Sequence, residues 1–500
     1  MNRTHPTLAR RGPEFPGLET IEITGITADS RAVRPGFIFA ALPGGKVSGV
    51  DFIPEAKRRG AAGVIAPVGT RLETELPVIE DPLPRKLFAQ MAAAFYGAQP
   101  EIVVAVTGTS GKSSTVSFAR QLWKSLGLGA ASLGTLGIES DPITRYGTLT
   151  TADPVELHAD LAALAHAGVS RAAMEASSHG LDQYRLDGVR VRAAGFTSFG
   201  RDHLDYHPTV EHYLDAKTRL FTEVLPPGSV AVLNADIPEF AVLKQAAEAA
   251  GRRVLSYGRQ GQELHINRRG PFPSGQYVAM NLFGHWRSFV LPLVGEFQLM
   301  NALCAVGLIF GSEIDEVSLH GDVQGSSLTG MVDRVVEALG NLKGVRGRLE
   351  HVATLPSSAS VYVDYAHKPD ALVAVLEALR PHTKGRLIVA FGCGGDRDPG
   401  KRPIMGEIAT RLADRVIVTD DNPRTEDAAT IRAAVMAGAP GAVEIGDRAE
   451  AIAAGIRELK AGDIFVVAGK GHEQGQIVGK TVRPFDDADV VRAAVAELYP

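Results

Sequence analysis

The sequence predicts an α/β protein of three domains, and three observations lead there. Its 500 residues exceed what one core usually organises, since domains commonly run ~100–200 residues. From Ile102 onward apolar runs alternate with helical patterns, the mark of parallel sheets with crossover helices. Two stretches punctuate that order: "GAQPEI" (97–102), with glycine and proline just before a strand, and "LKGVRGRLEHV" (342–352). The expected domains are therefore 1–98, 99–345 and 346–500, with no internal repeat or low-complexity tract.

Each element has its own signal. In the first domain "ITADSRAVRPGFIFAAL" and "AAGVIAPV" supply short strands and "PLPRKLFAQMAAAFYG" a helix, which makes a small α/β unit. The second opens on "EIVVAV", a buried-strand run. A Gly-rich turn follows, then a helix in which Val116, Ala119, Trp123 and Leu126 recur at helical spacing; its sheet should be mostly parallel. In the third, "SVYVDYAH" (360–367), "RLIVAFG" (386–392), "RVIVTD" (415–420) and "DIFVVAG" (463–469) each precede loop residues and then a helical stretch such as "DALVAVLEALR" (370–380). This predicts an open, Rossmann-like domain.

Composition excludes several classes. Hydrophobic content of 45% and charged content of 22% are those of an ordinary soluble globular protein. Lys+Arg 52 against Asp+Glu 57 gives net −5, so no global attraction to nucleic acid or to an anionic membrane is expected. The N-terminal "MNRTHPTLARRGPEFPG" is positive but is followed by no apolar run of signal-peptide length, and nothing approaches the ~20 apolar residues of a membrane span. The expectation is a cytoplasmic monomer that acts on small molecules, without nucleic-acid or membrane partners. Cys304 and Cys393 lie far apart without metal-ligand spacing, so no disulfide framework is expected.

The stretch "VAVTGTSGKSST" (104–115) nearly matches the phosphate-binding pattern G-x-x-x-x-G-K-[ST], which would need glycine where Val106 stands. Its context is strand, Gly-rich turn, helix, which points backbone N–H groups and a helix N-terminus at phosphate oxygens. Gly108 can supply the permissive backbone, Lys112 a point charge for the β/γ-phosphates and Ser113 a hydroxyl for Mg2+. The bland alternative is a tight turn with a surface lysine, and the context favours ATP. In "RAAMEASSHGLDQYRLDGVRVRAAGFTSFGRDHLDYH" (171–207), Glu175 ends one apolar strand run, and His203 and Asp205 follow another. Strand C-termini in open α/β sheets face the ligand crevice, so Glu175 and His203 could reach a Mg2+ that the loop also touches. A lone Glu or His is more often simply solvated, and the neighbouring phosphate loop is what tips the reading toward a cation.

These motifs resemble the Mur ligases, ATP-dependent amide-forming enzymes of peptidoglycan precursor synthesis whose phosphate loop takes the short form G-T-x-G-K-[ST]. "GTSGKS" (108–113) fits that form. The resemblance covers nearly the whole chain: "TADSR" (27–31), "LTTADP" (149–154), "MEASSHGLDQYR" (174–185), "GRDHLDYH" (200–207), "YLDAKTRLF" (213–221), "GRLE" (347–350), "DYAHKPDAL" (364–372), "GCGGDRDPGKRP" (392–403), "DNPRTE" (421–426) and "GKGHEQG" (469–475). It implies an N-terminal nucleotide-sugar domain, a central P-loop ATPase domain and a C-terminal ligase domain that binds an amino acid.

It also implies roles, residue by residue. ATP is expected on Gly108, Thr109, Ser110, Gly111, Lys112, Ser113 and Ser114, with Asn301, Arg348 and Asp364 and with Lys368 nearby. The UDP-linked substrate is expected on Ala28, Ser30, Gly45, Lys46 and Val47, and its muramyl-dipeptide on Thr150, Thr151, Ser177, Gln183 and Arg185. Lys217 matches a lysine that the family carbamylates. An ammonium would repel Mg2+, whereas a carbamate (N6-carboxylysine) can ligate it. The implied metal set is Ser113, Glu175, His203 and carbamylated Lys217, and the implied catalytic set is Lys112, Lys217, Glu175 and His203. The acceptor is expected on Arg397, Asp421, Asn422, Pro423, Arg424, Gly469 and Glu473. In the family the D-N-P-R form accompanies meso-diaminopimelate, whose distal carboxylate suits a guanidinium.

The implied reaction passes the γ-phosphate of ATP to the D-glutamate carboxylate of UDP-N-acetylmuramoyl-L-alanyl-D-glutamate. The amine of meso-diaminopimelate then attacks the acyl phosphate, and domain closure is expected to assemble the parts. The alternatives are a sister ligase, either lysine-adding or a folylpolyglutamate synthase, and a non-catalytic nucleotide-binding regulator. Three positions depart from the family pattern: Ser110 and Ser198, where asparagine is common, and Gln298, where asparagine is again usual.

Overall fold

The structure, a computed structural model, describes residues 17–44, 47–70, 75–147, 149–313 and 326–499. Gly45 and Lys46, two of the residues expected on the UDP-linked substrate, lie outside the described residues. The chain forms two compact units. One contains the described residues up to Tyr257 together with Cys304–Glu313, and the other contains Gly258–Leu303 and the described residues from Ser326 onward.

The first unit holds two sheets. Strands Gly25–Thr27, Phe37–Ala40, Gly63–Pro67 and Val78–Asp81 pair in parallel in that order. One face buries Ile26, Ile38 and Ile65 against helix Pro84–Tyr96, whose Phe88, Met91, Ala92 and Phe95 recur at helical spacing. The other face buries Phe39, Val64 and Ala66 with Ile53 and Ala56. In the larger sheet the order is Arg253–Gly258, Val230–Asn234, Val191–Phe196, Ile102–Thr107, Arg171–Glu175, Ala130–Gly134, all parallel. Two short antiparallel strands, Gly137–Glu139 and Thr144–Arg145, extend it. Ile102–Thr107 lies fully buried between two strands that come later in the chain, so the loop leaving its C-terminal end sits at the topological switch point.

The second unit's six-stranded sheet has the order Glu350–Thr354, Ser360–Asp364, Ile464–Ala468, Leu387–Phe391, Arg415–Val418, Val443–Glu444. Only its first pair is antiparallel. Its four inner strands are largely apolar on both faces and buried between two clusters, one around Leu376, Met405 and Val435, the other around Ile452, Ile456 and Val491.

One segment departs from the alternation expected after Ile102. Leu264–Phe272, Gly275–Leu282 and His285–Leu291 form an antiparallel meander. Its pattern is period two: along Gly275–Leu282, Val278, Met280 and Leu282 turn inward while Tyr277 is exposed. Among the described residues no helix is long and apolar enough to cross a membrane. Cys304 and Cys393 are both buried and free.

Candidate functional site

In the first unit the phosphate loop follows Thr107, and helix Lys112–Ser125 starts at Gly111, which has φ +89°. Gly108 has φ +138°, and a Cβ there would sit 2.0 Å from Thr197 Oγ1, so conformation and space both demand glycine. Lys112 Nζ donates to the carbonyls of Gly108 (2.9 Å) and Thr109 (3.0 Å), which folds the ammonium back over the loop. The loop is pinned from the strand beside it. Thr109 N donates to Ser198 O, and Thr197 Oγ1 donates to Ser110 O at 2.6 Å. Ser110 and Ser198 bond reciprocally: Ser110 N donates to Ser198 Oγ, and Ser198 Oγ donates to Ser110 O, both at 3.1 Å. Two of the three departures from the family pattern are therefore in contact. Ser114 is buried in the first turn of the helix.

Glu175 ends its strand fully buried. Its Oε1 accepts from Ser113 Oγ and from Thr135 N, each at 2.9 Å. Gly134 leaves room for this, because a Cβ there would lie 2.1 Å from that oxygen. Thr135, which the sequence reading missed, also links Glu175 to Thr150 through its hydroxyl. Thr151 Oγ1 donates to Glu175 O and accepts from Ser177 N, and Ser177 caps helix Ser178–Asp182. Arg185 donates to Thr151 O and to Gln183 Oε1. Thr150, Thr151, Ser177, Gln183 and Arg185 thus form one hydrogen-bonded network that reaches the carboxylate beside the phosphate loop.

Lys217 is the opposite of a surface lysine. On helix Val210–Arg219 it is 1% exposed, with Nζ donating to Gly108 O at 2.8 Å and lying over the Tyr213 ring. Burial, with Lys112 adding to it, pulls its amine well below the usual lysine range. His203 is exposed, at φ +54°, with its ring 5.0 Å from that of His179 and 3.7 Å from Asp202 Oδ2.

Ser113 Oγ and the Glu175 carboxylate are hard oxygen donors at the loop, a set that suits Mg2+. Among the described residues no three His, Cys, Asp or Glu side chains converge to hold a metal by themselves.

Farther along this unit Ala28 lines a groove of about 520 Å3 with Thr27, Asp29, Phe88, Asp153 and Glu156. Ser30 is buried with its hydroxyl donating to Glu55, and Val47 is exposed.

In the second unit most of the residues expected on ATP and on the acceptor lie at or just beyond the C-terminal ends of the parallel strands. Asp364 ends Ser360–Asp364 and accepts from Leu349 N and Ala366 N. Burial pushes its carboxyl up to about 6, with nearby Arg348 and the two N–H groups pulling the other way. The Arg348 guanidinium lies 4.8 Å over the Tyr365 ring, and Gln298 Nε2 donates to Arg348 O. Gln298 thereby has a structural use, and Asn301 is buried one turn later on the same helix. Lys368 is exposed at the start of helix Pro369–Leu379.

After Val418 come Asp421, Asn422, Pro423 and Arg424, the last at φ +51° with Nη1 donating to Gly395 O at 2.7 Å. After Ala468 come Gly469 (φ +123°) and Glu473, whose Oε2 accepts from Asn422 Nδ2. Lys470, quoted in its motif but given no role, is fully buried and donates to Asn422 Oδ1 and Glu473 Oε2. Asp421 Oδ1 is buried 3.7 Å from Lys470 Nζ with no hydrogen-bond partner in the structure. Arg397 is exposed on the loop after Phe391. The constellation offers guanidinium groups from two loops, buried Asp421 on one of them and half-buried Glu473 from a third, a surface complementary to a zwitterion.

Three family descriptions match: "Mur ligase family, catalytic domain" over residues 22–96, "Mur ligase middle domain" over 106–309 and "Mur ligase, glutamate ligase domain" over 347–471. The chain is 51% identical over 97% of its length to "UDP-N-acetylmuramoyl-L-alanyl-D-glutamate--2,6-diaminopimelate ligase" of Rhizobium meliloti, 99% of which is covered. It is 52% identical over 95% of its length to the protein of the same name from Mesorhizobium japonicum, 96% of which is covered. A solved structure of a protein so named superimposes with TM-score 0.72 at 33% identity, covering 96% of each chain. With its phosphate loop at the switch point of one sheet, its acidic and basic side chains beyond the strand ends of another, and these matches along its length, this chain belongs to the Mur ligase family.

Proposed function

We propose that this chain joins meso-diaminopimelate to the D-glutamate carboxylate of UDP-N-acetylmuramoyl-L-alanyl-D-glutamate at the expense of ATP, in cytoplasmic peptidoglycan precursor synthesis. The observation that carries the acceptor's identity is Arg424. Its guanidinium stands in a loop that also brings buried Asp421 and, through Asn422, Glu473. Lysine lacks the distal carboxylate that would engage this arginine, whereas meso-diaminopimelate supplies it. The buried Asp421 oxygen, which has Lys470 at 3.7 Å but no hydrogen bond, is suited to an ammonium of the same molecule.

Lys112 balances charge on the γ-phosphate while the N–H groups of the loop and of the first turn of helix Lys112–Ser125 hold the phosphate chain. Glu175 and Ser113, with His203 and carbamylated Lys217, are the residues that would hold Mg2+, which when bound neutralises phosphate charge. The substrate carboxylate attacks the γ-phosphorus and ADP leaves. The acceptor amine then adds to the acyl carbon, loses a proton and expels phosphate. Positioning and electrostatics supply most of the rate, so no protein group need form a covalent bond.

The test is phosphate release from ATP in the presence of the UDP-linked dipeptide, comparing meso-diaminopimelate with L-lysine. Release with the first and little with the second is expected. Equal rates would remove the acceptor assignment, and silence with both would remove the enzyme. The lysine modification has its own check. A lysine amine held below its usual pKa is neutral, and therefore open to CO2, at pH values where an ordinary lysine is charged. In 13C-bicarbonate a carbamate resonance should appear near neutral pH, fade as pH falls through the amine's lowered pKa, and be missing from Lys217→Arg. A spectrum identical in wild type and variant would mean that Lys217 acts unmodified.

A further inference from the structure

Two fully buried charges of the second unit lie behind the acceptor loops and have no part in the chemistry above. Arg448 opens helix Arg448–Arg457 and Asp487 opens helix Asp487–Leu498, and both side chains are 0% exposed. They meet in a two-pronged pair, Nε to Oδ1 and Nη2 to Oδ2, each at 2.7 Å. A buried ion pair of this kind is weak evidence of a contribution to stability, because desolvation consumes much of the attraction. Its other bonds are more informative. Arg448 Nη1 donates to Asp420 O at 3.2 Å, and Nη2 donates to Ala468 O at 3.1 Å.

Those carbonyls precede the two acceptor segments by one residue each, Asp421–Arg424 after the first and Gly469–Glu473 after the second. The strands they leave, Arg415–Val418 and Ile464–Ala468, are not paired with each other, since Leu387–Phe391 lies between them. The loops are bridged farther out by backbone bonds, Arg424 N to Ile477 O and Gly479 N to Arg424 O, but where they leave their strands no ladder bond joins them and the guanidinium spans that gap. Its planar fork can satisfy a carboxylate and two carbonyls at once, which a lysine ammonium cannot do in one plane. The side-chain contacts across the gap, Lys470 to Asn422 and Asn422 to Glu473, depend on that backbone spacing.

We propose that Arg448, anchored by Asp487, is a positioning residue for the acceptor amino acid, tying the loop that carries Asp421 and Arg424 to the loop that carries Gly469 and Glu473. The inference rests on those loops being the acceptor site. Arg448 itself touches no substrate. It acts through the backbone of both loops.

The test is steady-state kinetics of the full chain, with the Michaelis constants for the acceptor, ATP and the UDP-linked dipeptide measured separately beside melting temperature. Misplacing binding groups by a fraction of an ångström should raise the acceptor KM about tenfold in Arg448→Lys and in Arg448→Met, with the ATP KM within about twofold of wild type. Arg448→Lys keeps the charge opposite Asp487 and guards against loss of the fold. The double variant Arg448→Met with Asp487→Leu removes both charges, so it should recover melting temperature while its acceptor KM stays high. Recovery of both together would reduce the pair to a stability element and overturn the proposal. So would a wild-type acceptor KM in Arg448→Lys, or an equal rise for all three substrates. Arg424→Ala serves as the control. If it leaves the acceptor KM unchanged, the acceptor site lies elsewhere and the proposal falls with it. If it raises the acceptor KM while the Arg448 variants do not, only the positioning role fails.

Discussion

Lys112→Met should lower kcat on the order of a thousandfold while the protein melts at nearly its normal temperature. The ammonium's bonds to Gly108 O and Thr109 O are made at a partly exposed position, so removing them costs the fold little. What is lost is a positive charge that the transferring phosphoryl group meets as its bond to ADP breaks. Backbone N–H groups of the loop remain, so the KM for ATP should change far less than kcat. That split separates transition-state stabilisation from simple binding. Burst and steady-state phosphate release with the UDP-linked dipeptide would check it. A kcat within tenfold of wild type would mean that the charge is supplied by another group.

Arg424→Ala should raise the KM for meso-diaminopimelate on the order of a hundredfold, since a charge-assisted pair is worth about 3 kcal/mol where it is desolvated. Arg424→Lys should recover little, because an ammonium cannot match a carboxylate with two parallel N–H groups. The loss should be specific: KM for ATP unchanged, and the ratio of meso-diaminopimelate to lysine utilisation collapsing toward one. The backbone context supports a local effect. Arg424 is held at φ +51° by hydrogen bonds of its own N–H to Ile477 O and of Gly479 N to its carbonyl, and neither needs the side chain. Competition between the two amino acids at fixed ATP measures the ratio directly, and an unchanged preference would exclude Arg424 as the discriminating group.

The sheets were legible because their signals are local. Runs such as "EIVVAV" and "IFVVA" are apolar on both faces, and the loops that follow carry the glycines a tight turn requires. Glu175 could be placed at a strand end from its own apolar run, whereas Asp364 and Arg424 were named only through the resemblance to the family. The meander Leu264–Leu291 was missed because its period-two pattern was not distinguished from buried parallel runs. Charged side chains whose burial depends on distant partners were illegible for a deeper reason. Lys217 reaches Gly108 across 109 positions, and Arg448 reaches Asp487 across 39, and no local pattern announces either. Thr135 has the same excuse, since its partner Glu175 lies 40 residues on.

The reciprocal bonds between Ser110 and Ser198 bear on heredity as much as on structure. Both bonds run between the Ser198 hydroxyl and the backbone N–H and carbonyl of Ser110, 88 positions away, so exchanging Ser198 unmakes both whereas exchanging the Ser110 side chain leaves them standing. Grafting the asparagine-bearing loop of a relative onto this chain would keep the backbone groups that Ser198 holds. In a lineage, residue 110 should therefore vary more freely than residue 198, and a chimera should work wherever its crossover falls so long as a short hydrogen-bonding side chain stands at 198.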